Sequence, residues 1–374
     1  MRIWSRALMP AAVLLAAACA SVPRDAGVGE VERIVEERTG HRLSWRPEQP
    51  ITAPDDGELA ARLEDELTVD QAVEIALARN PDLLAALEEL GLARADLIAA
   101  RTVRNPIVDG EIHFPGERFR PYELAVTQTL VDLFQLRRRR QVGAAEFAAA
   151  RLRIGASVVG FAGEVRADYY TLQAAQAALA QQRAISTAAE AAAELAQRQH
   201  VAGNISDLDL ETEQALYERA KLDLARAELD ELAARERLLA DLGATRTLPL
   251  RLPALAMPPP ADDPAQFEAV PSQRLDLQLA EAELEAARRA RPLAGAEPFD
   301  ELAAGVHFAR EAGGERSRGP TASVPIPLFD RGLAARARAV ATLRIVEQRR
   351  HALAAARRAR PLAGGEAFDE LAAG

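Results

Sequence analysis

The chain of 374 residues has a single cysteine, Cys19, and few aromatics, only 4%. One cysteine excludes an intrachain disulfide. Ala, Glu, Leu and Arg dominate instead, a composition that suits long packed helices better than a large globular core. The five histidines, His41, His113, His200, His307 and His351, are scattered, with no His-x-x-x-His pair and no cysteine partner. No metal site is readable from them. Beyond the N-terminal segment only Met257 remains, which excludes a thioether cluster for a soft metal. Neither a Gly-x-x-x-x-Gly-Lys loop nor a Gly-x-Ser-x-Gly elbow is present. Acidic pairs sit at helix-surface spacings, where solvation or ion pairing is the ordinary role. No catalytic residue and no cofactor is therefore assigned. The net charge of -10 argues against a nucleic-acid binder. No apolar run reaches the roughly 20 residues that a membrane-spanning helix needs.

Arg2 and Arg6 precede a short apolar run, Leu8 to Ala18, interrupted by Pro10. Leu15-Ala16-Ala17-Ala18-Cys19 resembles a bacterial lipobox. That resemblance implies a signal peptide over residues 1–18, cleavage before Cys19 and acylation of Cys19; an ordinary signal peptide is the alternative. Ala20 follows the cysteine. An Asp there is the usual inner-membrane retention signal, so its absence favours the outer membrane. With no helical span, such a protein meets the membrane by lipid or as a β-barrel.

Residues 19–67, charged and weakly periodic, read as anchor and linker. Thr68 to Gln71 has the pattern of a capping box, and Val69, Val73 and Leu77 form a helical face. Asn80-Pro81 breaks that helix, and a second runs from Leu83 to about Arg104. The period then changes to two. Val108, Gly110, Ile112 and Phe114 alternate with Asp109, Glu111 and His113; Tyr122, Leu124, Val126, Gln128 and Leu130 alternate after the turn. This predicts a β-hairpin at about 106–131, its strands long enough to cross a bilayer. Asp109, Glu111 and His113 would line a barrel lumen if the other face meets lipid.

A long helical hairpin is expected over about 144–243. Heptads recur at Val158, Val165, Leu172 and Leu179, at Ala215, Leu222 and Leu229, and at Ala225, Leu232 and Leu239. The first arm would rise roughly 85 Å at 1.5 Å per residue. Gly203-Asn204 ends it, and Ser206 can cap the return. The arginine run 137–140 reads as a solvated loop or helix start, with a phosphate or lipid-headgroup site as the alternative. Prolines make 245–271 a linker. Beyond it Asp276, Leu277, Ala280, Leu284, Ala287 and Arg288 match Asp82, Leu83, Ala86, Leu90, Ala93 and Arg94 at one offset. A second hairpin at about 303–329 follows, with Val306 and Phe308 in one strand and Ala322, Val324, Ile326 and Leu328 alternating in the other. The chain is thus an internal duplication, 68–244 and an incomplete 272–354.

Leu67-Thr68-Val69-Asp70-Gln71-Ala72, Ala76-Leu77-Ala78-Arg79-Asn80-Pro81, the tip Ala202 to Leu208 and Pro325-Ile326-Pro327-Leu328-Phe329-Asp330-Arg331-Gly332 occur in this order. Together they resemble the TolC-like outer-membrane efflux family over about residues 67–350. The resemblance implies a mainly α fold with long antiparallel coiled-coil helices and four transmembrane strands per protomer of a trimeric twelve-stranded barrel. It implies a homotrimer that works without chemistry, with a periplasmic adaptor and an inner-membrane pump of the RND type. The tip residues Gly203, Ile205, Ser206 and Leu208 would meet the adaptor, or would only cap and turn the hairpin. Arg38-Thr39-Gly40-His41-Arg42 to Trp45 and the Gly203 tip resemble the heavy-metal branch slightly more than the multidrug branch. A non-channel coiled-coil lipoprotein, an adaptor or scaffold, is the rival reading.

Residues 355–374 nearly copy 286–305, differing only at Ala296/Gly365 and Pro298/Ala367. In the second copy Pro361 and Gly364-Gly365 are expected to break a rising helix. The second helical hairpin that the duplication calls for is missing, so a C-terminal truncation is expected; a non-functional fragment is a third reading.

Overall fold

The computed structural model describes residues 22–43, 45–46, 55–112, 121–255, 274–311 and 314–372, with side chains described as far as residue 355. Residues 1–21, including the expected signal peptide and Cys19, lie outside the described residues, as does His113. The helices are α1 (Val28–Thr39), α2 (Asp56–Arg62), α3 (Val69–Arg79), α4 (Pro81–Arg101), α5 (Leu130–Val201), α6 (Asp207–Asp241), α7 (Leu275–Ala290) and α8 (Leu333–Ala372). The strands are β1 (Ile107–Ile112), β2 (Tyr122–Thr129), β3 (Ala303–Arg310) and β4 (Arg316–Ser323). Two compact units divide the chain: residues 1–27, 89–153 and 268–374, and residues 28–88 and 154–267.

The second of these units is a helical assembly. The Thr68 hydroxyl accepts from the Gln71 amide (3.3 Å), and Gln71 Oε1 accepts from the Thr68 amide (2.9 Å), the expected capping box. Pro81 opens α4 where its missing N–H costs nothing. Asn80 caps that helix through Leu83 N (2.9 Å), and its amide donates to the Asp241 carbonyl at the end of α6 (3.1 Å). The expected linker 19–67 instead carries α1 and α2. Val28, Val31, Ile34 and Val35 are buried; they recur at helical spacing, a signal that the dense charges around them mask. Leu67 N donates to the Arg251 carbonyl (2.9 Å), and Leu248 and Leu250 are buried, so the start of the proline linker is packed too.

Val158, Val165, Leu172 and Leu179 of α5 are all buried, as their heptad predicts. In α6 one expected heptad faces outward, with Leu222 and Leu229 62% and 65% exposed, while of the other Leu232 is exposed and Leu239 is buried. The inward residues are Leu210, Glu231, Leu238 and Leu239. Helix α6 is apolar on more than one side, so periodicity alone could not say which side meets α5. The buried Glu231 pairs with Arg235. At the end of α6 the partly buried Asp241 carboxyl faces Asp168 and Glu164. Burial first, then the Asp168 charge, pushes its pKa up to about 6.

In the first unit β1, β2, β3 and β4 form one antiparallel sheet in that order, so the two hairpins join edge to edge through β2 and β3. Helix α5 begins at Leu130, directly after β2, and not near residue 144. Asp132 makes this possible. Its carboxylate is buried and accepts from Arg104 Nε (2.7 Å), Arg104 Nη2 (3.1 Å), the Arg104 amide (3.2 Å) and Arg139 Nη1 (2.8 Å). These donors, Arg104 first, hold its pKa below the usual carboxylate range. The arginine run is therefore part of a helix, and Arg139 is an internal counter-charge. Helix α8 packs on α7, with Arg349 3.5 Å from Glu283. Its backbone stays helical to Ala372, through Pro361, where a break was expected. Pro361 removes one hydrogen bond and its ring crowds the preceding turn, so the helix continues there against that cost, carried by the Ala- and Arg-rich residues on either side.

Two stability predictions follow the two carboxylates. Asp132→Ala leaves two guanidiniums without their buried partner and should cost roughly 2–4 kcal/mol, read as a lower Tm by circular dichroism of the full chain in detergent. The Asp132 contribution is present at neutral pH and is lost as pH falls through its depressed pKa. Asp241 has the opposite sign. The folded state holds its proton more tightly, so stability falls as pH rises from about 4 to 6. Asp241→Asn should raise stability by roughly 1–2 kcal/mol at pH 8, with the gain fading toward pH 4. A gain independent of pH would count against this assignment.

Candidate functional site

The sheet sorts its side chains by face. Asp109, Ala125, His307 and Gly319 form one row of register partners, and Glu111, Glu123, Ala309 and Ser317 form the next on the same face. Thr127 and Thr321 extend that polar face. Val108, Val126, Val306 and Pro320 form a row on the other face, followed by Gly110, Leu124, Phe308 and Arg318. The sequence-derived Asp109 and Glu111 thus stand together on one polar face. Their neighbours Glu123 and His307, 3.8 Å apart, went unrecognised, because the pairing of β2 with β3 brings together residues far apart in the chain. Gly305 in β3 has a strict steric role: a Cβ there would lie 2.0 Å from the Val126 carbonyl oxygen.

The apolar face is open. Val108 is 62% exposed, and Ile112, Val306, Phe308 and Leu124 are also exposed. Strand β4 ends at Ser323, opposite Ala303 at the start of β3. The expected strand residues Val324, Ile326 and Leu328 lie beyond it and are exposed. No length of β3 remains to pair with them, and Pro325 and Pro327 have no N–H to donate.

The helical hairpin tip is built by local bonding. Asn204 N donates to the Gln199 carbonyl (2.9 Å) and Gly203 N to the His200 carbonyl (2.9 Å), a Schellman closure. Gly203 has φ +73°, the left-handed value this closure requires. Ser206 caps α6: its hydroxyl accepts from the Asp209 amide (3.2 Å), and its own amide donates to the Asp209 carboxylate (3.1 Å). That bonding lowers the Asp209 pKa. His200 Nε2 lies 2.6 Å from Asp207 Oδ1, joining the two helix ends. Ile205 is half-buried, whereas Leu208 and Val201 are 75% and 77% exposed. Of the four tip residues named from sequence, Gly203 and Ser206 shape the turn, and Leu208 presents an apolar surface. Among the described residues no helix is long and apolar enough to cross a membrane.

Residues 72–244 match the family model for outer membrane efflux proteins. No curated protein matches the chain significantly. Among solved structures, the chain is similar to the Campylobacter jejuni CmeC outer membrane channel at 13% identity and a TM-score of 0.60, covering 87% of this chain and 74% of that one. It is similar to the open state of the Neisseria gonorrhoeae MtrE outer membrane channel at 19% identity and a TM-score of 0.58, over 81% and 74% of the two chains. CusC, whose structures concern folding and transmembrane channel formation, is 22% identical with a TM-score of 0.54, over 76% and 73%. At these identities the likeness is one of fold: long helices combined with a small antiparallel sheet. Residues 72–244 thus match the outer membrane efflux protein family, and the chain shares the long-helix and small-sheet architecture of these outer-membrane channels.

Proposed function

We propose that this chain is the outer-membrane duct of a tripartite efflux system, working as a homotrimer with a periplasmic adaptor and an inner-membrane pump of the RND type. One observation carries the reading: a four-stranded sheet with an exposed apolar face whose outer strands, β1 and β4, each pair with one strand only among the described residues. Such a sheet is unstable in water, because its face and both edges are unsatisfied. Three copies joined β4 to β1 would close twelve strands with no free edge. Strands β2, β3 and β4, of eight residues each, rise about 26 Å along their length and, tilted by about 40°, span about 20 Å, most of the roughly 25 Å apolar band of an outer-membrane barrel. The face of Val108, Val126 and Val306 would then meet lipid, and Asp109, Glu111, Glu123 and His307 would line the lumen. The exposed Leu222 and Leu229 support the same arrangement, as an apolar stripe awaiting a neighbouring helix. Cys19 would carry the acyl anchor.

The rival, a coiled-coil adaptor lipoprotein, carries a lipoyl-like β-domain flanking one helical hairpin. Two β-hairpins zipped into one sheet favour the duct. The exported substrate would be selected by the pump.

Full-length protein extracted from membranes should migrate on unheated SDS gels near three times its 40.3 kDa mass and collapse to a monomer on boiling. It should also conduct ions in planar bilayers. A monomer without conductance would count against the duct. For the tip, Leu208→Asp should lower adaptor co-purification about tenfold, the scale of one lost apolar anchor, with unchanged helicity. Undiminished adaptor binding would return Leu208 to a merely structural role.

A further inference from the structure

We infer that the end of the sheet from which β2 and β4 leave is an interfacial anchor: Phe134 and Phe329 enter a lipid leaflet, and the arginines that follow them bind its anionic, phosphate-bearing headgroups. The inference rests on the proposed reading of the sheet's apolar face as lipid-facing. Every neighbouring pair of strands is antiparallel, so β2 and β4 run in the same direction and leave the sheet at one end. Strand β2 ends at Thr129 and β4 at Ser323. Each is followed by the same dipeptide, Leu133-Phe134 after β2 and Leu328-Phe329 after β4. The internal duplication thus sets one Leu-Phe pair beside each exit. All of these side chains are exposed: Leu133 45%, Phe134 78%, Leu328 65% and Phe329 99%. Large apolar side chains held open at matching places mark a surface that something else covers.

Charge follows the same repeat. Arg137 and Arg138 lie three and four residues beyond Phe134, so they stand on its face of α5, one turn on. Arg331 lies two residues beyond Phe329, and Arg338 follows in the second turn of α8. All of these arginines are exposed. The acids of the same segments are engaged within the chain. Asp132 is buried and accepts from Arg104 and Arg139, and Asp330 accepts from the Gly332 amide (2.8 Å).

Position selects the occupant. Leu328-Phe329 follows an edge strand, whereas Leu133-Phe134 follows an inner one. A second copy joined at β4 would meet the pair at the edge; a leaflet surrounding the sheet meets both. Aromatic side chains gather where the apolar band of a barrel gives way to headgroups. Arginines just beyond that level lay their stems along acyl chains and offer their planar forks to phosphate. Clusters of them favour anionic leaflets.

The test introduces one indole at a time, Phe134→Trp, Phe329→Trp or Val108→Trp, into the full-length protein. Each variant is reconstituted into digalactolipid vesicles, whose headgroups carry neither phosphate nor charge, with a minor fraction of phosphatidylglycerol. Bromine on the acyl chains of one lipid or the other quenches an indole that touches it, read against the unsubstituted protein. The indoles of Phe134→Trp and Phe329→Trp should be quenched, and brominated phosphatidylglycerol should quench several-fold more per mole than brominated galactolipid. Adding Arg137→Gln, Arg138→Gln, Arg331→Gln and Arg338→Gln should make the two lipids equal. Equal quenching with the arginines in place, a preference that survives the glutamines, or its loss on adding inorganic phosphate would overturn headgroup binding. Indoles of Phe134→Trp and Phe329→Trp that stay unquenched while that of Val108→Trp is quenched would overturn the anchor and leave the barrel standing; a blue-shifted emission would then assign them to a contact between copies. An unquenched Val108→Trp would sink the lipid-facing reading itself, and the anchor with it.

Discussion

Strand β2 passes into helix α5 with no loop between Thr129 and Leu130, so the backbone must turn from extended to helical within one peptide. The first helical N–H groups have no partners inside the helix at such a start. Leu130 N is satisfied by the Leu302 carbonyl at 2.8 Å, at the threshold of β3. Asp132, two residues on, draws in Arg104 from the segment before β1 and Arg139 from the next turns of α5. Arg104 in turn donates to the Asp300 carbonyl (3.2 Å), and Gln128 donates to the Arg104 carbonyl (3.0 Å). One buried carboxylate thus ties the approach to β1, the exit from β2 and the approach to β3. The register of the sheet depends on those three points being held together.

That register gives the sheet its chemical asymmetry. Side chains alternate along each strand, and a shift of one residue would carry the valines to the polar side. Gly305 helps to hold it, because any larger residue would collide with β2. The resulting sheet is unfit for water on one face and at both edges. In the proposed trimer, association inside a membrane would resolve both defects together. The helical unit has the same character. Its inner seam is closed by Leu210 and Leu238, while the Leu222 and Leu229 stripe is left to a further surface.

Much of this was legible along the chain. The Thr68 capping box, the Asn80-Pro81 break and the Gly203–Ser206 tip are local devices, specified by residues three or four apart, and they stand where their chemistry demands. The alternation in β1 and β2 likewise put Asp109 and Glu111 on one face, because strand period needs no partner to be read. The His307–Glu123 pair and the Asp132 clamp were hidden, since each joins residues whose proximity exists only after the chain has folded. Helix α1 was hidden for a different reason: its apolar positions are regular, but charged residues outnumber them.

The repeated twenty-residue string separates the two kinds of information. Its first copy runs from the end of α7 through two short turns into β3, where Gly305 pairs with Thr127 and Ala303 with Thr129. Its second copy is helical as far as Ala372. There Ala, Leu, Glu and Arg, which lose little side-chain freedom in a helix, carry it past Pro361 and Gly364-Gly365. What the sequence alone determined is therefore the local material: caps, periods and the duplication. The tertiary structure decided which of those segments became strand and which stripe of α6 faced inward. A strand is completed by hydrogen bonds from its neighbours, and β2 and β4 supply them to the first copy.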